Sequence, residues 1–258
     1  MNFKCLSVKI DNLSREEILQ KVDFVLSNKN KKFYQIVTVN PEIILEGQKN
    51  VEFRKILNAK RVLNIADGFG VKLVTWWQGK SLRCRWPGVD LMQEVLKVAN
   101  KKKQRVFLIA NKRGLTTWQE IAEVMKKKYP DLEIKGMNVA IEKNKKDLRF
   151  MIYDSGNNVV PRSLKSYILN HKSDVLFCAL GAPQQEILLH NLQDTGVKLA
   201  MGVGGSFDFL TGKIRRAPWW MREIGLEWLW RLFLEPRYRW RRVWRAVVIF
   251  PLMVFLKR

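Results

Sequence analysis

Short β-rich apolar runs recur along the chain at Phe33 to Val39, Val62 to Ile65, Val106 to Ala110, Leu132 to Ile134, Val175 to Leu180 and Leu199 to Val203. Each is followed by turn or cap residues. Between them lie stretches with apolar residues three and four apart, the spacing of one helix face: Asp90 to Lys101, Leu115 to Tyr129, Leu164 to Asn170 and Gln184 to Asp194. Strands alternating with helices predict an α/β fold around a largely parallel sheet. Asn138 to Arg149 is polar and lysine-rich and is expected to be a loop inside that domain. Met1 to Asn12 alternates apolar and polar residues and lacks the continuous apolar run of a signal peptide, so no export is expected.

The pattern changes after Gly212. From Lys213 to Arg258 there are 12 Lys or Arg, 3 acids and six of the ten tryptophans, and an appendage is placed there: residues 1–212 as the α/β domain, 213–258 as a basic C-terminal segment. Its first half reads equally well as terminal helices packed on a core. The second half interleaves Arg237, Arg239, Arg241, Arg242 and Arg245 with Tyr238, Trp240 and Trp244 before turning wholly apolar, which is the chemistry of an interfacial helix. The longest apolar run, Ala246 to Leu256, has 11 residues and contains Pro251, whereas crossing a bilayer as a helix takes about 20. The expected fold is therefore a Rossmann-like, mostly parallel sheet flanked by helices, plus a C-terminal helical membrane-associating appendage.

Charge agrees with an anionic partner. Lysine and arginine number 47 against 24 acids, a net charge of +23, which suits phosphates, a nucleic acid or a lipid surface. Arginine interleaved with aromatic residues also suits single-stranded nucleic acid, although the greasy terminus adds nothing to binding a polyanion. Cys5, Cys84 and Cys178 form no CxxC pair, so neither a disulfide framework nor a zinc site is expected, and a reducing cytoplasm fits.

Ligands of open α/β sheets sit beyond the carboxyl ends of strands. Two such places carry chemistry. In Thr38-Val39-Asn40-Pro41-Glu42 a hydroxyl and an amide end a strand and Pro41 opens a helix; an ordinary helix cap is the plainer reading. In Ala66-Asp67-Gly68-Phe69-Gly70 the carboxylate of Asp67 stands where a base could act, although Asp-Gly is also a common turn. Met201 to Asp208 places glycines after a third strand, suited to phosphate or to close packing. His171 and His190, the only histidines, belong to neither HExxH nor a GxSxG elbow, and no GxxxxGK[ST] loop is present.

Taken in order, seven motifs resemble the WecG/TagA/CpsF family of bacterial glycosyltransferases from Thr38 to about Arg242. They are Thr38-x-Asn40 with Glu42; Ala66-Asp67-Gly68-x-Gly70; Arg85-x-Pro87-Gly88-x-Asp90-Leu91; Gly181-Ala182-Pro183-x-Gln185-Glu186; Gly202-Val203-Gly204-Gly205-x-Phe207-Asp208; Arg216-Ala217-Pro218-x-Trp220; and Gly225-Leu226-Glu227-Trp228-x-x-Arg231-Leu232 leading into Glu235-Pro236-Arg237. The resemblance implies inverting transfer of an N-acetylmannosamine-type hexosamine from a UDP-sugar to undecaprenyl-diphosphate-linked N-acetylglucosamine, with no metal or other cofactor. It implies Asp67 as base; Thr38, Asn40, Arg85 and Gln184 as donor contacts; and Arg231, Arg237 and Arg241 at the donor diphosphate. The partners implied are that donor, the polyprenyl-linked acceptor and an anionic membrane surface, at the cytoplasmic face of the bacterial plasma membrane, with homo-oligomers left open and no nucleic acid. Another UDP-hexose, a nucleic-acid-binding protein and a non-catalytic membrane scaffold are the alternatives. The chain departs from the family pattern at Val89, Gln184 and Tyr238, and lacks a His-Gly-Tyr-Phe stretch near Met137.

Overall fold

A computed structural model describes residues 3–30, 32–142, 151–153 and 161–256. In chain order the elements begin with β1 (Phe3–Cys5), β2 (Val8–Ile10), α1 (Arg15–Ser27), β3 (Tyr34–Val39), α2 (Pro41–Lys49), α3 (Val51–Leu57), β4 (Val62–Ala66) and α4 (Phe69–Trp77). There follow α5 (Gly88–Lys101), β5 (Arg105–Asn111), α6 (Trp118–Lys128), β6 (Glu133–Glu142), β7 (Met151–Tyr153), α7 (Pro161–His171), β8 (Val175–Cys178), α8 (Gln184–Asn191) and β9 (Leu199–Gly202). The chain closes with α9 (Ser206–Leu210), α10 (Trp219–Glu223), α11 (Glu227–Leu234), α12 (Pro236–Trp244), a π-helical stretch at Arg245–Ile249 and α13 (Phe250–Leu256).

The main sheet runs β4-β3-β9-β8-β5-β6-β7. Its first six strands are parallel, as the alternation of strand and helix predicts, and β7 closes it antiparallel to β6. The register of β8 on β9 pairs Val175 with Leu199 and Cys178 with Gly202, so the two strands end side by side. A separate hairpin joins β1 to β2 through Leu6 and Ser7, both at positive φ. The Gln48 side chain donates to the Leu6 carbonyl and Asn58 Nδ2 to that of Ser7 at 2.9 Å, which holds a turn made without glycine.

Local sequence accounts for the helix starts. Asn40 Oδ1 accepts from Ile43 N at 3.1 Å and Asn50 Oδ1 from Phe53 N at 2.9 Å, capping α2 and α3. Thr117 and Glu120 form a reciprocal capping box on α6. One expectation fails: Asn138 to Glu142 is not loop but the second half of β6, paired with β7, while 143–149 lies outside the described residues. Its polar residues keep strand geometry because β5 and β7 supply their backbone partners.

The chain divides into two compact units, Met1–Arg15 with Val37–Gly88 and Arg215–Arg258, and Glu16–Ile36 with Val89–Ile214. The first has a core of Val8, Ile10, Val37, Val39, Ile44, Phe53, Leu57, Ile65 and Val71. The second is centred on Phe33, Phe107, Ile109, Val139, Ile168, Leu176 and Leu189. Within the first unit α13 packs on α2 and α4, and the π-helical stretch on α2. Among the described residues no helix is long and apolar enough to cross a membrane.

Candidate active site

Seven of the eight expected site residues fall in the first unit, and four of them, Thr38, Asn40, Asp67 and Arg85, lie at or just beyond its strand ends. Thr38 lies near the end of β3, and Gly88 leaves it room: a Cβ there would stand 3.0 Å from Thr38 Oγ1. Just beyond β4, the Asp67 N–H donates to Val39 O at 2.8 Å and the Trp86 N–H to Ala66 O at 2.9 Å. Those bonds bring the Asn40, Asp67 and Arg85 segments to the same strand ends. The Asp67 carboxylate is held locally, Oδ1 accepting from Gly68 N at 2.7 Å, and Gly68 takes φ +65 to start α4. Gly70 makes the next helix fit: a Cβ there would lie 2.9 Å from Pro41 Cγ.

The plainer reading of Asn40 is correct as far as it goes, because its carbonyl oxygen is a helix cap. Arg85 donates through Nη2 to the Arg222 carbonyl at 2.9 Å, which aims its guanidinium from the segment before α5 toward α10.

The tail arginines fall into two sets. Arg231 is half-buried on α11, and its pKa is lowered to about 10 by burial and then by the Arg239 charge, with Glu235 opposing. Arg239 Nε donates to Glu235 Oε2 at 2.6 Å, and Arg242 Nε to both oxygens of Glu42 at 2.8 and 3.0 Å. Arg237 and Arg241 are exposed one turn apart on α12, and the Arg241 guanidinium lies 5.8 Å from the Trp240 ring centroid.

Gln184 belongs to the second unit, as the half-buried first residue of α8. Its neighbour Gln185 is buried and does more: Oε1 accepts from Gly181 N at 3.0 Å and Gly204 N at 3.1 Å, tying the loops after β8 and β9. Gln185 Nε2 donates to Glu186 Oε1 at 2.7 Å, and burial raises the Glu186 pKa to about 7. A Cβ on Gly202 would meet Gln185 Nε2 at 2.6 Å and Glu186 Oε1 at 2.8 Å, so the glycine is required for packing. Asp208 Oδ1 accepts from Thr116 Oγ1 at 2.7 Å in the same unit.

Other nucleophiles are poorly placed. Cys5 and Cys178 are buried, and burial pushes the Cys5 thiol up to about 12 and Cys178 higher still. Among the described residues no group of three or more His, Cys, Asp or Glu comes together that could hold a metal ion.

The sequence profile of the Glycosyl transferase WecG/TagA/CpsF family matches residues 3–258. The chain belongs to this glycosyltransferase family. It is 32% identical over 235 residues, 91% of this chain and 80% of the relative, to a protein of Bacillus subtilis (strain 168) named N-acetylglucosaminyldiphosphoundecaprenol N-acetyl-beta-D-mannosaminyltransferase. Proteins of the same name from Bacillus spizizenii (strain ATCC 23059 / NRRL B-14472 / W23) and Staphylococcus aureus (strain NCTC 8325 / PS 47) are 34% and 27% identical. Those matches cover 81% and 97% of this chain and 74% and 89% of the relatives. The match reaches through the tail, which the profile includes as part of the family chain.

Gln185, Glu186 and Glu42 stand in motifs that by themselves assign them no work; in the fold Gln185 and Glu186 fill the space beside Gly202, and Glu42 pairs with the distant Arg242. The exposure of the aromatic residues of α4 likewise has no signal in the sequence.

Proposed function

We propose that the chain transfers an N-acetylmannosamine-type residue from a UDP-sugar to undecaprenyl-diphosphate-linked N-acetylglucosamine, with inversion, for a surface polysaccharide or teichoic acid. The observation that carries this is a carboxylate with a fixed orientation, Asp67, in the same unit and at the same strand ends as Thr38, Asn40 and Arg85. Asp67 takes the proton of the acceptor hydroxyl as that oxygen bonds to the anomeric carbon. The bond from that carbon to the UDP oxygen breaks from the opposite face, and UDP leaves with the electron pair. Inversion follows from this single displacement.

Thr38, Asn40 and Arg85 orient the donor; with Asn40 Oδ1 capping α2, its part falls to the amide Nδ2. The negative charge developing on the diphosphate calls for cations. Exposed Arg237 and Arg241 supply two, and Arg231, whose pKa is lowered first by burial and then by the charges of Arg239 and Arg242, gains a counter-charge from an added anion. Arginine serves here in place of a bound metal ion. Residues 213–258 act in addition as the docking segment on the anionic cytoplasmic face of the plasma membrane, with tryptophan at headgroup depth and arginine on lipid phosphate.

UDP release from candidate UDP-sugars, measured with a lipid-diphosphate acceptor and with or without EDTA, tests the reading. Asp67→Asn is expected to lower kcat by about 10²- to 10⁴-fold, the usual contribution of a general base. Undiminished turnover in Asp67→Asn would overturn the base assignment, and loss of turnover in EDTA would overturn the metal-free mechanism.

A further inference from the structure

Helix α4 begins two residues after Asp67 and turns an apolar face outward. Val71, Val74 and Thr75 are buried, whereas Phe69, Leu73, Trp76 and Trp77 are exposed, Leu73 by 45% and Trp76 by 74%. Residues 69, 73 and 76 are spaced four and three apart and share one side of the helix. That side continues into the tail. The Trp77 ring stacks on Phe255 of α13 with centroids 5.4 Å apart and planes 8° from parallel. Phe69 is backed by Gly225, where a Cβ would stand 2.8 Å from Phe69 Cδ2. Along α13, Leu252, Phe255 and Leu256 are exposed as well. An apolar surface of this extent on one unit marks a contact site rather than ordinary solvent-facing surface.

We infer that α4 is itself part of a membrane-docking face, shared with α13, and that its occupant is an anionic lipid bilayer. The inference rests on the docking role proposed above for residues 213–258 and extends it to a helix that belongs to the catalytic strand-loop-helix unit. Charge selects the occupant. A second copy would bring another +23 to the face, whereas anionic lipid neutralises the exposed Lys72 and Lys80 on α4 and just beyond it. Tryptophan next to lysine on an exposed helix is the side-chain usage of the headgroup zone.

The consequence concerns the reaction. A helix of nine residues is about 13 Å long at 1.5 Å per residue, so an α4 seated on lipid keeps Asp67, one residue before its cap-to-helix start, within roughly that distance of the headgroups. The diphosphate of a membrane-anchored acceptor lies in the same zone. Docking through α4 therefore brings the base to the depth of its substrate without any long excursion of the acceptor out of the bilayer.

Flotation of the full chain with mixed phosphatidylglycerol and phosphatidylcholine vesicles, and with phosphatidylcholine alone, tests this. The wild type is expected to float only with the anionic vesicles. Leu73→Glu and Trp76→Glu are expected to weaken that binding at least tenfold, and Trp76→Phe to retain it. The glutamate variants should keep the wild-type Tm and the wild-type rate of UDP release with a water-soluble acceptor; Trp76→Ser, which adds no charge, serves if either loses its fold. Equal vesicle affinity in the wild type and in these variants would overturn the role of α4 while leaving the tail's role standing. A concentration-dependent dimer in light scattering that Trp76→Glu abolishes would assign the face to a second copy. A wild type that does not float removes docking by tail and α4 together, and the transfer reaction is judged separately by Asp67→Asn.

Discussion

Glu186 offers the sharpest physical check on the second unit. The carboxyl is 1% exposed, Oε1 accepts from Gln185 Nε2, and Oε2 is buried without a hydrogen-bond partner. Burial therefore favours the neutral acid and raises its pKa from 4.5 to about 7. Between those two values the unfolded chain has given up the proton and the folded chain still holds it. The Glu186 contribution to stability is fully present below pH 4.5, falls as pH rises, and reaches its lower plateau above about 7. With about 1.4 kcal/mol for each pH unit, the loss is on the order of 3 kcal/mol. Glu186→Gln keeps the shape and the acceptor oxygen and removes the titration. Lowered carboxylates such as Asp23 and Asp194 tilt the whole curve the other way, but they are common to both proteins and cancel in the difference. Urea unfolding followed by tryptophan fluorescence from pH 4.5 to 8 should show Glu186→Gln gaining on the wild type across that window and levelling off above it. A difference that stays flat with pH would mean that Glu186 is ionised when folded, and the reasoning would be wrong.

Two further outcomes bear on the same architecture. Gly202→Ala forces a methyl group to 2.6 Å from Gln185 Nε2, and overpacking together with loosened bonds to the Gly181 and Gly204 amides should cost about 3 kcal/mol. At about 2–4 °C per kcal/mol for a chain of this size, calorimetry should record a drop of roughly 6–12 °C; an unchanged Tm would mean that the loops yield freely. Arg242→Glu places a second carboxylate beside Glu42 and should loosen α12, whereas the double change Glu42→Arg with Arg242→Glu should restore it. Because both side chains are partly exposed, the coupling should be only about 1 kcal/mol, and hydrogen exchange over 236–256 is the readout; no recovery in the double variant would show that the pair does not fasten the tail.

The strand and helix order was legible because most central strands carry uninterrupted apolar runs, such as Val175–Cys178 and Leu199–Gly202, and the helices between them keep their three- and four-residue spacing. The pattern failed where partners rather than side chains make the strand. In β6, Lys135, Gly136 and Asn138 interrupt the apolar run, yet β5 supplies ladder partners through Val139 and β7 from Ala140 onward. The hairpin turn at Leu6 and Ser7 carries no Gly, Asn or Asp, the residues two-residue hairpin turns favour, and what holds it is Gln48 and Asn58 from later in the chain.

The site follows the same division. Positions where a side chain would collide leave a mark in composition, because only glycine fits: Gly88 against Thr38 and Gly202 against Gln185 are both motif residues. Exposure leaves no such mark. The run Phe69 to Trp77 has the apolar content of a core helix, and the same spacing would describe it whether Leu73 and Trp76 faced protein or lipid. Pairing at long range is equally silent, since Glu42 and Arg242 lie 200 residues apart and neither position constrains its neighbours. A tail joined to α2 by such a pair, and to α4 by the stack of Trp77 on Phe255, is built into the unit that carries Asp67, so anything that displaces α12 and α13 bears directly on the helices that start at Asn40 and Gly68.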